Sequence, residues 1–256
     1  MWPVNPRGCW TLFVRETHRF LKVKMQTIVA PALTAMLYLM VFHYAMGDRS
    51  VPGLNVPYFD FLIPGLVMMS MLQNAFANTS SSIIVGKVMN VNIYLLMAPL
   101  SAIEAIAAFL AAAVLRALIV AAVLLAVLMP FSSLGFVHIG PILFYGVCGS
   151  ILMGGFGIIG GMWSKKFDDM ALISNFLIMP LTFLSGVFYS VKQLPPLWQQ
   201  INDYNPFFYL IDGFRYGFIG VGDSNPMTAI WVVLAATLVC MVACWYLWLI
   251  GWKLKD

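Results

Sequence analysis

Apolar residues in this chain gather into long runs separated by short polar turns. A helix rises about 1.5 Å per residue, so roughly 20 predominantly apolar residues cross a hydrocarbon layer about 30 Å thick. Six runs meet that length: Ile28 to Met46, Phe61 to Val85, Ile103 to Met129, Ile139 to Trp163, Met170 to Tyr189 and Thr228 to Ile250. Gln73, Asn74, Asn78 and Thr79 to Ser82 interrupt the second, and Ser174, Asn175 and Thr182 the fifth. The pattern predicts an all-α membrane protein with six transmembrane helices, residues 28–256 forming one membrane domain.

Ahead of the first span, Trp10, Phe13, Val14, Thr17, Phe20 and Leu21 recur at helical spacing, with Arg15, Arg19 and Lys22 on the other face. Residues 1–27 therefore read as an amphipathic helix at the membrane interface, its aromatic face among acyl chains and its cations among lipid phosphates. It serves either as a basic anchor that sets topology or as a working part of the protein. The first ten residues lack an apolar stretch, so no cleaved signal peptide is expected.

Composition agrees with a membrane class. Charged residues are 9% and hydrophobic ones 62%, against about 25% and 45–50% in soluble domains. The net charge of +4 is too small to suggest nucleic acid, and no such partner is expected. The placement of cations is more informative. Arg7, Arg15, Arg19, Lys22, Lys24, Lys87, Lys165, Lys166, Lys253 and Lys255 fall on one side of the predicted spans; Arg49, Lys192 and Arg215 fall on the other. The positive-inside rule then puts both termini in the cytoplasm. Cys240 and Cys244 share one face of an apolar helix, facing lipid or a neighbour, and no zinc spacing occurs among the four cysteines.

Between the fifth and sixth runs lies a segment that is neither a span nor an ordinary soluble loop. Residues 186–215 are aromatic, contain Pro195, Pro196 and Pro206, and carry only Lys192, Asp203, Asp212 and Arg215 as charges. Non-helical backbone at membrane depth needs protein or a wet cavity to satisfy its polar groups. The segment reads as short helices that dip into the outer leaflet and return, or as an amphipathic loop lying on the surface. In the first case Phe188, Tyr189, Trp198, Tyr204, Phe207 and Phe208 pack near an outer exit as a gate. Asp212 and Arg215, three residues apart on a helix, are expected to pair and anchor the segment to the last span. The succession Phe183-Leu-Ser-Gly186, Leu194-Pro195, Asn205-Pro206 and Asp212-Gly-Phe-Arg215 resembles the signature region of ABC-2 type transporter permeases. That group includes the daunorubicin-resistance, nodulation-factor and polysaccharide export permeases.

Chemistry within the chain is sparse. There is no GxxxxGK[ST] phosphate loop, and His18, His43 and His138 are scattered. Carboxylates able to carry a coupling ion are nearly missing from the spans. Arg116 is the outlier, because an arginine at the centre of a span costs about 2.5–3.5 kcal/mol on insertion scales. Glu104, twelve residues back, is about 18 Å away along the helix and too far to pair. Arg116 therefore needs an interhelical partner or contacts an anionic substrate. The polar run Gln73, Asn74, Asn78, Thr79 and Ser80 either lines a pathway or bonds neighbouring helices. The glycines of the fourth run, Gly149, Gly154, Gly155, Gly157, Gly160 and Gly161, allow close helix packing or a hinge.

On its residues alone, the short connection 86–101 is an interfacial helix exposing Lys87, Asn90, Asn92 and Tyr94. Leu95-Leu-Met-Ala-Pro-Leu-Ser101 resembles the motif after the coupling helix of the ABC-2 permeases. That resemblance implies docking on a cytosolic ABC ATPase through Lys87, Asn90, Tyr94, Leu96 and Pro99, with Glu104 at the mouth of span three. It further implies a homodimer of permeases in a bacterial inner membrane with two copies of the ATPase. ATP and Mg would be bound by that partner, and no cofactor by this chain. An ion-coupled secondary transporter and a non-transporting membrane scaffold are the rival classes.

Overall fold

The computed structural model describes residues 5–47, 50–52, 54 and 56–253, and of residues 46, 92, 94 and 96 the backbone alone. Asp48, Arg49 and Lys255 fall outside the described residues. Eleven α-helices follow in order among them: α1 (Pro6–Lys22), α2 (Ala30–Met46), α3 (Tyr58–Val88), α4 (Asn92–Met97), α5 (Ala102–Leu128), α6 (Ile139–Trp163), α7 (Phe167–Leu172), α8 (Met179–Leu184), α9 (Pro196–Asp203), α10 (Pro206–Ile219) and α11 (Pro226–Leu249). A π-helical turn, Met25–Val29, leads into α2, and a second, Ile173–Ile178, joins α7 to α8 as one rod.

Among the described residues, six helices are long and apolar enough to cross a membrane: Met25–Ala45, Tyr58–Val88, Ala102–Phe131, Ile139–Trp163, Phe167–Leu184 and Pro226–Leu249. The fourth matches its sequence boundaries. The fifth ends five residues early, because Gly186 adopts φ +77°, a left-handed conformation that closes the helix at little steric cost to glycine.

α3 is the buried axis of the bundle, packed chiefly against α5, α6 and α10. Glycines set the α3–α6 approach. A Cβ at Gly149 would lie 2.5 Å from the Met68 side chain, and one at Gly161 2.7 Å from Ile83. Backbones come this close in lipid where packing drives association. α11 closes on α6 through Cys240, whose Sγ would lie 2.8 Å from a Cβ at Gly155. Cys240 and Cys244 are thus buried helix-packing residues.

α2 and the fifth span are peripheral, each mostly exposed where α3 is mostly buried. α1, α4, the α6–α7 turn and the end of α11 gather at one end of the bundle, termed basal here; Leu12, Ile106 and Trp248 share a core cluster there. The α5–α6 loop and residues 186–225 lie at the opposite, apical end.

Candidate functional site

A cavity of about 560 Å³ opens among α1, α2, α3, α5 and the π-helical turn of the fifth span. Its walls are mixed. Apolar lining comes from residues such as Ala35, Tyr38, Leu66, Met69 and Ile178; polar lining comes from Gln26, Ser70, Gln73, Asn74, Ser174 and Asn175. Its two charges are both arginines, Arg19 and Arg116. Both π-helical turns contribute lining residues. Each sits just ahead of a proline, Pro31 or Pro180, whose missing N–H already breaks the α-helical ladder.

Arg116 bonds across to α3. Its Nε and Nη2 donate to Asn74 Oδ1 at 3.2 and 2.9 Å. One neutral amide is its acceptor, and among the described residues no carboxylate pairs with it.

Arg19 reaches α3 one turn further on. It donates to Glu16 at 2.9 Å, to the Asn78 carbonyl at 2.6 Å and to Ser81 Oγ at 3.0 Å. The sequence placed Arg19 on the lipid-facing polar side of α1, and the structure corrects this. The buried face of α1 is Leu12, Glu16 and Phe20, set against protein rather than acyl chains, while Trp10 stays exposed. Arg19 follows its partner Glu16 inward. The signal missed was a carboxylate on the otherwise apolar Leu12–Phe20 stripe.

The polar run of α3 divides by direction. Gln73 and Asn74 line the cavity, and Asn78 receives Arg19. Thr79 Oγ1 donates to the Gly154 carbonyl at 2.7 Å, and Ser80 Oγ to the Phe76 carbonyl at 2.6 Å, so these two serve helix contacts.

At the basal end, Lys87 donates to the carbonyls of Met162 and Ser164 at 2.7 and 2.9 Å. It caps the end of α6, where the helix dipole favours a cation, and is not the free surface lysine expected. Glu104 forms a capping box with Ser101 and also accepts from the Asn5 N–H, tying α1 to the start of α5. Pro99 accepts from the Asn5 side chain at 3.3 Å. Asn90 is exposed with φ 54°, turning the chain from α3 into α4. Val88, Met89, Ile93 and Met97 present an exposed apolar face beside it. The side chains of Tyr94 and Leu96 lie outside the described residues.

The apical segment is built on two charged side chains that do not pair with each other, contrary to expectation. Arg215 is fully buried. It donates to the carbonyls of Phe61 (3.1 Å), Gly186 (2.8 Å) and Val187 (3.4 Å), and its guanidinium lies 3.7 Å from the Phe61 ring centre. Asp212 instead accepts from the N–H groups of Asp223 and Ser224 and from Ser224 Oγ. It does fix the segment to the start of the last span, through backbone donors. Asp223, which the sequence did not single out, accepts from Ser190 Oγ and the Val191 N–H. Asp60 likewise accepts from Ser133. Asn205 caps α10 and donates to Ser185 Oγ at 2.9 Å, accounting for both the Ser-Gly and the Asn-Pro pairs.

α10 lies beside the apical half of α6. Gly217 accepts from Val137 and His138, and a Cβ at Gly149 would meet Leu210 at 3.3 Å. Phe207 and Phe208 are buried, and Phe188 stacks on Phe42 and Phe183. Tyr189 donates to the Leu184 carbonyl. Trp198 and Tyr204 are exposed at 42% and 89%, so they leave the packed aromatic group in which they were expected.

A bundle of six apolar helices with a polar cavity between them and a clamped segment at one end is the build of a multi-pass membrane permease. The chain belongs to the ABC-2 type transporter family, whose pattern matches residues 7–219. It is 35% identical over 240 residues to the inner membrane transport permease YadH of Escherichia coli K12, the match covering 93% of each chain. The YadH permease of Shigella flexneri matches to the same extent.

Proposed function

We propose that this chain is the membrane-spanning subunit of an ATP-driven exporter, moving an amphipathic, lipid-like or glycan cargo out across the inner membrane. The observation that carries the reading is the mixed cavity. A bundle built for stability alone has no use for two arginines and nine amide or aliphatic-hydroxyl side chains around an open space, because polar groups are costly in hydrocarbon. The carboxylates of the six spans, Asp60, Glu104, Asp168 and Asp169, lie at span ends and none is among the described cavity residues, so the energy comes from a separate ABC ATPase that binds ATP and Mg.

That ATPase docks at the basal end, on Asn90, Tyr94, Leu96 and the exposed apolar face of Val88, Met89, Ile93 and Met97. Lys87, Pro99 and Glu104 act behind this face, holding α3, α6 and α1 to it. The basal end faces the cytoplasm with both termini, and the apical clamp faces outward. There, 186–215 dips into the outer leaflet and gates the exit with Phe188, Tyr189, Phe207 and Phe208.

Two copies assemble along α2 and the fifth span. Their exposed faces, including Leu33, Leu37, Met40 and Phe176, flank the cavity and leave it open towards a second subunit.

Affinity capture of the tagged permease from native membranes, followed by ATP hydrolysis in proteoliposomes, tests this. An ABC ATPase is expected in the eluate, its hydrolysis stimulated by the permease and uncoupled by Met89→Glu or Ile93→Glu. Capture without any ATPase, or activity indifferent to both substitutions, would overturn it.

A further inference from the structure

We infer that the cavity takes an anionic head group, phosphate or carboxylate, of its cargo between Arg116 and Arg19, with the cargo's apolar portion against the apolar lining from α2, α3 and the fifth span. The inference rests on the transport reading above and narrows its substrate class.

Charge decides between cation and anion. No aspartate or glutamate is among the described lining residues, whereas two guanidiniums are. Glu16 meets the charge of Arg19. Arg116 has only the Asn74 amide, which accepts two of its five N–H groups and leaves three without an acceptor among the described residues. A helix-to-helix bond to Asn74 needs no charge, since glutamine could make it. A permanently charged, fork-shaped donor is the side chain suited to a planar carboxylate or a phosphate.

The two arginines are also placed as a pair. They engage Asn74 and Asn78, one helical turn or about 6 Å apart on the same face of α3. Tyr38, Leu66, Met69 and Ile178 supply an apolar wall next to these donors. The cavity thus offers an anionic end and a greasy end at once.

The source of the anion is tested by ligand. The purified full-length permease in neutral detergent is titrated with dihexanoyl-phosphatidic acid, inorganic phosphate and zwitterionic dihexanoyl-phosphatidylcholine, and its thermal midpoint is followed. Phosphatidic acid is expected to stabilise the protein. Arg116→Gln should weaken that binding at least tenfold, and Arg116→Lys, which keeps the charge but loses the fork, should weaken it less. A response to phosphatidic acid alone identifies a lipid-borne head group; an equal response to phosphate identifies a free anion.

Asn74→Asp guards against a variant that merely fails to fold. It supplies Arg116 with a counter-charge inside an intact cavity, and should keep the fold while abolishing anion binding. Binding that survives Asn74→Asp and Arg116→Gln, or an equal response to phosphatidylcholine, would overturn the inference. No ATPase is present, so the result is independent of the capture experiment that tests the transport reading.

Discussion

Arg215 and Arg116 are both arginines set deep in an apolar bundle, and the protein treats them in opposite ways. Arg215 meets three main-chain carbonyls and the face of Phe61, with no open space beside it. Arg116 meets one side-chain amide and a cavity. A buried charge surrounded by fixed acceptors holds structure together, and removing it strands those acceptors. A charge left half-satisfied beside an opening holds nothing comparable and is free to meet something else. The apical clamp is therefore a rivet, and the cavity is where the molecule keeps unspent bonding capacity.

The largest effect expected follows directly. Arg215→Leu removes two good charge-assisted bonds and the ring contact, at a cost of about 3 kcal/mol. Arg116→Leu should cost no more than about 1 kcal/mol, since apolar replacement of an imperfectly paired buried charge is often nearly neutral. Thermal unfolding of both variants in detergent measures the gap. Equal losses would erase the distinction between rivet and site.

Gly65 sharpens the same contrast. A Cβ there would lie 2.8 Å from the Val187 carbonyl and 2.9 Å from Arg215 Nη2. The first neighbour is backbone and cannot swing aside, so Gly65→Ala should lose about 2 kcal/mol by overpacking. If the alanine is tolerated without loss, the clamp is looser than its bond lengths imply.

Asp212→Asn asks whether the second half of the clamp works alone. The carboxylate accepts from two N–H groups and one hydroxyl, and the amide retains a single acceptor oxygen. A loss of about 1–2 kcal/mol is expected. Because Asp212 and Arg215 have separate partners, their effects should add in the double variant. A non-additive result would restore the ion pair that the geometry denies.

The spans were legible in the sequence because length and apolarity decide them. The apical motif marked the right residues, but i,i+3 spacing suggested the wrong partners for Asp212 and Arg215. Spacing within one helix says nothing of carbonyls left accessible on α3 and after α8. The cavity was half visible. Arg116 and Asn74 declared themselves by polarity inside apolar runs, whereas Arg19 was misread because it lies on a surface helix whose inward face depends on Glu16. The π-helical turns leave no periodic signature; Pro31 and Pro180, each two residues beyond one, were the available sign. Ser174 and Asn175 stood out as interruptions of the fifth span, and only the fold brings them opposite Arg116.

Within α3, Thr79 and Asn74 repeat the comparison on a smaller scale. Thr79 is fully buried and donates to the Gly154 carbonyl, at a contact so close that glycine is required at position 157 to leave room for its hydroxyl. Asn74, more than a turn away, faces the cavity. Interhelical hydrogen bonds in membranes average only about 0.6 kcal/mol, because the unfolded chain in lipid finds other partners. Thr79→Val keeps the shape and deletes the donor, so a loss of about that size is expected, with the proposed ATP-driven activity unchanged. Asn74→Leu should alter activity even where its thermal midpoint stays close to that of the unmodified chain. Proteoliposome turnover measured beside the thermal series separates the two. If Thr79→Val impairs turnover as strongly as Asn74→Leu, the polar run acts as one continuous lining, and the division between structural and cavity-facing residues on α3 fails.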